Sequence, residues 1–457
     1  MEALQASALP LGYATLNFGN YALKEACGQI EKTGNNGRMQ SLKEIAKILG
    51  CEVEEKDIKG FAIDSRNVKR GELFFALKGE KFDGHTFLRE VASKGAVAAV
   101  VEKGYVGQKY GMELLPAEDV TAALQCLAQE VQKRRKSRVV GVTGSVGKTT
   151  TKEFIAHLLA GKFKVAKTPG NANSQAGLPL SLLNGEGGEE VLVAELGMNH
   201  AGEMAKLMAI VHPEIGVITH IGRAHAGNFS DGILGIVHEK AEILRGAKVG
   251  IVHPHALQYK EVTNKGCRLV TFDIAEVPKG LALPFAESHL KANFACAAQV
   301  ALEMGLTWEE IGLRALGLKP FDLRFEKIEK NGVTFINDCY NSNPEAVQAA
   351  LENLPRPKRG GKVVAVLGEM AELGKYSEEA HREIGVIAAD RVDHLLCYGK
   401  ETLPVVEIVQ KLGKIAEFFT DVGRLRDSLW ELAREGDVVL IKGKNTNKLW
   451  QILESID

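Results

Sequence analysis

The first sustained hydrophobic period begins at Ser41, where SLKEIAKILG puts its apolar residues on one face of a short helix that stops at Gly50. The strand-like runs FAID and ELFFALKG follow, then a helical stretch around FLREVASKG and the apolar strand AVAAVVE. Together they predict a compact α/β domain over residues 39–137. From Val139 to about Lys319 the runs VVGVTG, EVLVAELG, IGVITHIG and KVGIVH each lead into glycine-rich turns and helical segments. Strands that are apolar on both faces belong in a parallel sheet covered by helices, and such sheets gather ligands at the carboxyl ends of their strands. A central domain is therefore expected over 138–319, with its functional residues just after each run. The same style returns in VTFINDCY, KVVAVLGEM, DHLLCYG and DVVLIKG, spaced by helices such as SEEAHREIGVIAAD, which predicts a second doubly wound domain over 320–457. Residues 1–38 hold no sustained period and read as an extension without an assignable role.

Length agrees with several domains, since 457 residues is roughly three times the ~150 expected of one. A net charge of -1 offers no global attraction to nucleic acid or to an anionic membrane, so any anionic ligand has to be held locally. The seven cysteines are scattered and never spaced as CxxC, which argues against a disulfide framework or a thiolate zinc site and for a reducing, cytoplasmic setting. The longest apolar runs, such as Ala96–Val101, fall far short of the ~18 residues that cross a bilayer. Glu2 stands where a signal peptide wants basic residues, so neither export nor membrane insertion is expected. The basic run QKRRKSR at 132–138 precedes a strongly apolar strand and marks a boundary; it reads as a solvated helix end or as a phosphate-binding patch.

The strongest chemical signal is GVTGSVGKTTTKEF at 141–154, a buried strand running into a glycine-rich loop and then a helix. Glycines let backbone N–H groups and the helix start cradle phosphate oxygens, the lysine adds a cation, and the following hydroxyl can ligate Mg²⁺. Gly144, Ser145, Val146, Gly147, Lys148, Thr149 and Thr150 are thus expected to bind a nucleoside triphosphate. The strict GxxxxGK[ST] pattern needs glycine where Val142 stands, so the loop is a variant. Glu195 ends the run VLVAELG, where a doubly wound sheet presents a carboxylate to a metal beside the phosphates. His225, after IGVITHIG, is by itself as well read as a structural histidine, and Lys240 in IVHEKAEIL as a solvated helix charge.

The segments TGSVGKTTTKE, GNANSQAG, AELGMNHAGEM, the stretch from His225 to Lys240, NDCYNSNP and VLGEMAELGKYSEEAHREIG, in this order, resemble the Mur ligases. Within that family they are most similar to the branch that adds the terminal dipeptide to the peptidoglycan precursor. DSRNVKRGELFFALKGEKFDGHTF at 64–87 resembles a UDP-binding signature of the family, and the DNPR motif of the branch that adds the diamino acid is missing. The resemblance implies a small α/β UDP-binding domain, a central P-loop ATPase domain with a parallel sheet, and a C-terminal Rossmann-like domain for the incoming dipeptide. It implies a monomeric ATP-dependent ligase joining D-alanyl-D-alanine to UDP-N-acetylmuramoyl-tripeptide through an acyl phosphate. Thr149 and Glu195 would hold Mg²⁺, His225 would support a second Mg²⁺, and Lys240 would be carbamylated and ligate or orient that metal. By the same resemblance Ser65 and Arg66 belong to the UDP-sugar site, and Asn171 and Asn173 lie near the phosphates and the acceptor peptide. Arg324 reaches phosphate and Asp338 the ribose side of ATP, while Tyr340, Asn341 and Asn343 take no assigned role.

The chain departs from the family pattern at several points. The usual adenine segment reads as a His-Asn pair with a second asparagine three residues on; here Leu290 follows His289 and Asn293 alone remains. The stretch from Thr271 to Ser288 is short, which implies a missing peripheral hairpin, and Lys444 and Asn445 stand where Ser-Arg is common. A folylpolyglutamate-type ligase would share the loop and the lysine but lack the DSR segment, and a non-catalytic P-loop regulator would leave that segment and VLGEMAELG idle.

Overall fold

The computed structural model describes residues 36–79, 82–319, 323–358 and 360–453. Most of the segment read as an amino-terminal extension therefore lies outside the described residues. Two compact units divide within the helix Val120–Arg135, one holding residues 39–123 and the other 36–38 with 124–457.

The smaller unit is built on a four-stranded parallel sheet of β1 (Gly60–Ala62), β2 (Glu72–Phe75), β3 (Ala98–Glu102) and β4 (Glu113–Ala117), in that spatial order. Its first helix, Leu42–Leu49, is bounded as the sequence predicts. The Ser41 hydroxyl accepts from Glu44 N–H at 3.1 Å, and Gly50 closes the helix at φ 74°. Ser and Gly suit these ends because the first supplies an oxygen to an orphan N–H and the second adopts left-handed backbone without strain.

The larger unit contains two six-stranded sheets. The first comprises β5 (Arg138–Thr143), β6 (Val165–Lys167), β7 (Val191–Glu195), β8 (Ile215–Ile218), β9 (Val249–Val252) and β10 (Arg268–Thr271), all parallel in the order β10-β9-β8-β5-β7-β6. The chain leaves β5 toward β6 and β7 and later returns to β8 on its other side, so the strand order reverses at β5. That reversal opens a crevice at the carboxyl end of β5. One face of the sheet packs against the helices Lys148–Leu159 and Ser288–Glu303, where the Phe154 and Phe285 rings stack at 5.4 Å. No strand lies between Thr271 and Ser288.

The second sheet holds β11 (Glu326–Lys330), β12 (Val333–Asp338), β13 (Val363–Gly368), β14 (His394–Tyr398), β15 (Ile415–Phe419) and β16 (Val438–Lys442), ordered β11-β12-β16-β13-β14-β15. Ala365 and Leu367 join one buried cluster and Val364 and Val366 another, so both faces are covered and the apolar run is continuous. β11 departs from the parallel pattern by pairing antiparallel with β12. The basic run at 132–138 is not simply a solvated helix end. The Arg135 side chain is 2% exposed, lies 3.6 Å from Glu189 and donates to Gly185 O at 2.8 Å. No helix among the described residues is long and apolar enough to cross a membrane.

Candidate active site

The loop after β5 sits in the crevice made by the strand reversal. Gly144 (φ 153°) and Gly147 (φ 82°) take backbone conformations that side chains rarely adopt. A Cβ on Gly144 would meet Thr219 Oγ1 at 2.0 Å, and one on Gly147 would meet Asn293 Oδ1 at 2.5 Å, so only glycine fits at either position. The buried Ser145 ties the loop to the segment after β8: its hydroxyl donates to Gly222 O at 3.0 Å and accepts from Gly222 N–H at 2.9 Å, and its N–H donates to His220 O at 2.7 Å. The loop is thereby fixed ahead of the helix Lys148–Leu159, whose start has no side-chain cap and offers its first N–H groups to an anion. Lys148 Nζ donates to Gly144 O at 2.7 Å. Burial lowers its ammonium below the ordinary lysine range; Glu195 opposes this and Arg324 adds to it.

Glu195 stands at the end of β7, next to β5, and is 1% exposed. Its Oε1 accepts from Asn173 Nδ2 at 2.7 Å, whereas Oε2 is buried without a hydrogen-bond partner, 3.7 Å from Lys152 Nζ. Lys152, fully buried one turn beyond Lys148, donates to Thr168 O at 2.8 Å and Gly170 O at 2.6 Å, and so fastens the segment carrying the exposed Asn171 and the half-buried Asn173. Among the described residues no trio of histidine, cysteine, aspartate or glutamate gathers to hold a metal alone. The donor set nonetheless suits Mg²⁺ shared with phosphate oxygens, because that ion takes one or two protein oxygens and keeps the rest of its shell from phosphate and water. The Thr149 hydroxyl and the unpartnered Glu195 oxygen are such donors.

Lys240 is 2% exposed and is therefore not a solvated helix charge. Burial drives its amine well below the ordinary lysine range; Lys148 adds repulsion and Glu239 opposes. His225 adopts a left-handed backbone (φ 68°), and its Nδ1 contacts the carboxylate of Glu372, itself at φ 64° in the loop after β13. Gly227 N–H donates to Glu372 O at 3.0 Å, so backbone as well as side chain joins these loops.

The part of the chain built on the β11–β16 sheet contributes further groups. Arg324 Nη2 donates to Thr149 Oγ1 at 3.0 Å. Asp338, at the end of β12, accepts from Phe325 N–H at 3.2 Å and pairs with Lys442 at 2.7 Å. Asn343 caps the helix Pro344–Glu352 and its Nδ2 lies 3.5 Å from Ser145 O. Arg223, beside the loop, meets Glu345 and Glu383. Asn293 Oδ1 accepts from Thr151 Oγ1 at 3.3 Å and abuts Gly147, while Leu290 is buried. In the smaller unit Asp64 caps the turn Ser65–Asn67 and grips the exposed Arg66, with Oδ2 2.6 Å from its Nη2, whereas Ser65 is buried and its hydroxyl donates to Glu90 at 3.4 Å.

Comparison with known proteins agrees in all three regions. The profile for the Mur ligase family catalytic domain matches residues 57–132, that for the Mur ligase middle domain 142–300, and that for the Mur ligase glutamate ligase domain 323–445. The chain belongs to the Mur ligase family. It is 31% identical over 438 residues to the UDP-N-acetylmuramoyl-tripeptide--D-alanyl-D-alanine ligase of Bacillus subtilis, covering 88% of this chain and 94% of that one. Among solved structures it is similar to MurF from Acinetobacter baumannii, with a TM-score of 0.79, 27% identity and coverage of 92% and 99%. It is also similar to the MurF ligase of Thermotoga maritima in complex with ADP, with a TM-score of 0.73, 31% identity and coverage of 86% and 96%.

In this Mur ligase Asn293 and Arg324 contact the loop and its helix directly, and Asn173 holds Glu195 at the neighbouring strand end, where its charge acts on Lys148. Asp338 touches the segment that carries Arg324, and His225 is engaged by Glu372. Lys152, Glu372, Lys442 and His381 were not singled out from the sequence. His381 is buried and accepts from Met370 N–H at 3.2 Å, which braces the loop carrying Glu372. The only signal for Lys152 and Lys442 was a cation inside an otherwise buried helix face or strand.

Proposed function

We propose that this chain joins D-alanyl-D-alanine to UDP-N-acetylmuramoyl-tripeptide, forming the UDP-linked pentapeptide precursor of peptidoglycan. The observation that carries the reading is the convergence, at one strand-end crevice, of a glycine-rich loop with Lys148, the Thr149 hydroxyl, the buried carboxylate of Glu195 and an arginine from the third sheet. As an ATP-dependent, ADP-forming amide ligase it has to activate a carboxylate that is a poor acylating agent. An oxygen of the tripeptide carboxylate attacks the γ-phosphorus of ATP and ADP leaves. The dipeptide amine then attacks the acyl carbon, and inorganic phosphate leaves with the former carboxylate oxygen.

The residues have separate tasks in this scheme. Loop N–H groups and Lys148 offset charge on the transferring phosphoryl group, and Arg324 adds a planar cation from the third domain. Thr149 and Glu195 are the groups that would hold Mg²⁺, which when bound neutralises the β- and γ-phosphate oxygens. His225 and Lys240 would serve a second Mg²⁺. The depressed Lys240 amine favours the neutral form that adds to CO₂, releasing a proton and leaving a carbamate anion. Asn171 and Asn173 would face the acceptor carboxylate, Asn293 and Asp338 the nucleoside, and Ser65 and Arg66 the UDP-sugar. We assign residues 39–137 to UDP binding, 138–319 to ATP and 320–457 to the dipeptide, in a monomeric cytoplasmic enzyme.

The test is product mass. Protein incubated with ATP, Mg²⁺, the UDP-tripeptide and D-alanyl-D-alanine is expected to yield the UDP-pentapeptide with one ADP per bond formed. ATP hydrolysis that proceeds equally fast without the UDP-tripeptide, or a product mass indifferent to the dipeptide, refutes the assignment.

A further inference from the structure

Tyr340 belongs to the NDCYNSNP segment but has no task in the scheme above. Its ring lies beneath the Arg324 guanidinium, 3.9 Å from ring centroid to the guanidinium carbon. The far end of the same guanidinium reaches the first turn of the P-loop helix, at Thr149 Oγ1. Arg324 Nε is buried without a hydrogen-bond partner, and the carbon of the same guanidinium lies over the aromatic ring. The backbone is held as firmly. Arg324 sits between Leu323 (φ 58°) and Phe325 (φ 56°), two residues with side chains in left-handed conformations, and Phe325 N–H is tied to Asp338 Oδ1 at 3.2 Å. Non-glycine residues persist in such conformations only where their surroundings hold them there.

We propose that Tyr340 is a positioning residue that fixes the plane of the Arg324 guanidinium against the phosphate end of the nucleotide. A guanidinium stacks on an aromatic face through cation–π attraction, and the stack selects one orientation from the many that a free arginine samples. A planar fork can give two parallel N–H bonds to phosphate oxygens only if that plane is set beforehand. In this arrangement the third domain delivers an aimed pair of donors rather than a loose charge. The inference rests on the reading of Arg324 as a phosphate contact, and its test reads nucleotide binding, which does not require ligation.

Affinity for the non-hydrolysable ATP analogue AMPPNP with Mg²⁺, measured by calorimetry, separates the outcomes. Tyr340→Leu is expected to weaken binding about tenfold, whereas Tyr340→Phe, which keeps the ring, stays within about threefold of the wild type. In an Arg324→Ala background Tyr340→Leu is expected to add no further loss. Equal losses from Tyr340→Leu in both backgrounds, or a Phe variant as weak as the Leu variant, overturn the proposal. Should Tyr340→Leu unfold early, Arg324→Lys asks the same question from the other side. A compact ammonium lacks the planar fork, so binding is expected to fall to about the Tyr340→Leu level; wild-type affinity in Arg324→Lys overturns the proposal.

Discussion

Two lysines near the loop illustrate how burial decides what a residue can do. Lys148 touches a loop carbonyl, and the proposed function sets it where charge develops on a transferring phosphoryl group. Lys148→Ala is expected to lower kcat by at least about a hundredfold while the unfolding midpoint and the UDP-tripeptide affinity are kept. Arg66→Ala, in contrast, should weaken the UDP-tripeptide. Equal losses of UDP-tripeptide affinity in the two variants would contradict this division. Lys240 is buried and electrostatically crowded, an environment that a permanent cation tolerates poorly. Lys240→Arg and Lys240→Ala are both expected to be nearly inactive, with only the alanine variant partly rescued by small carboxylic acids, read as phosphate release. Full activity in Lys240→Arg would return this residue to a structural role. The glycine-rich loop and Glu195 were legible because their chemistry is local in sequence. The partners Glu372 and Lys152 were not, since Glu372 meets His225 from another sheet and Lys152 looks in sequence like an ordinary helix charge.

Among the strands, legibility followed burial more than position, since the edge strand β1 buries Phe61 and Ala62 and is read from FAID. The apolar runs around β5, β7, β8, β9, β12, β13, β14 and β16 announce these strands, and each has neighbours on both sides or is buried along its length. The strands that the pattern did not reveal, β4, β6, β10, β11 and β15, all lie at sheet edges and are only half-buried, so no continuous apolar run marks them. Strand pairing also has consequences for stability. Asp338 and Lys442 are register partners at the ends of β12 and β16, and Lys442 is 1% exposed. Lys442→Met leaves the carboxylate without its counter-charge and is expected to cost about 3 kcal/mol in urea unfolding; a change within about 0.5 kcal/mol would contradict a structural role for the pair. After β8, burial pushes the His220 imidazole from 6.5 down to about 4, with His253 and His255 adding and Glu345 opposing. The unfolded chain therefore takes up a proton below about pH 6.5 that the folded protein refuses until about pH 4, and stability is lost progressively across that window. His220→Asn cannot charge, so its unfolding midpoint should decline less between those pH values. A decline parallel to the wild type would show that His220 is not responsible.

Over the whole molecule, three sheets carry three successive family domains, and the central and last of these are joined at the loop and its helix by Arg324 and Asn343 and at His225 by Glu372. The alternation of apolar runs and glycine-rich turns was enough to read an α/β chain of this size, because each buried strand carries its own signal. The joining contacts depend on tertiary placement and left no comparable trace; Tyr340 stood in a recognisable motif, yet only its position under Arg324 suggests a task. The central claim is ligation through an acyl phosphate, and oxygen transfer tests it most directly. With the acceptor carboxylate of the UDP-tripeptide labelled with ¹⁸O, turnover in the presence of ATP, Mg²⁺ and D-alanyl-D-alanine is expected to place one labelled oxygen in each inorganic phosphate released. Unlabelled phosphate accompanying formation of the amide product would contradict the account.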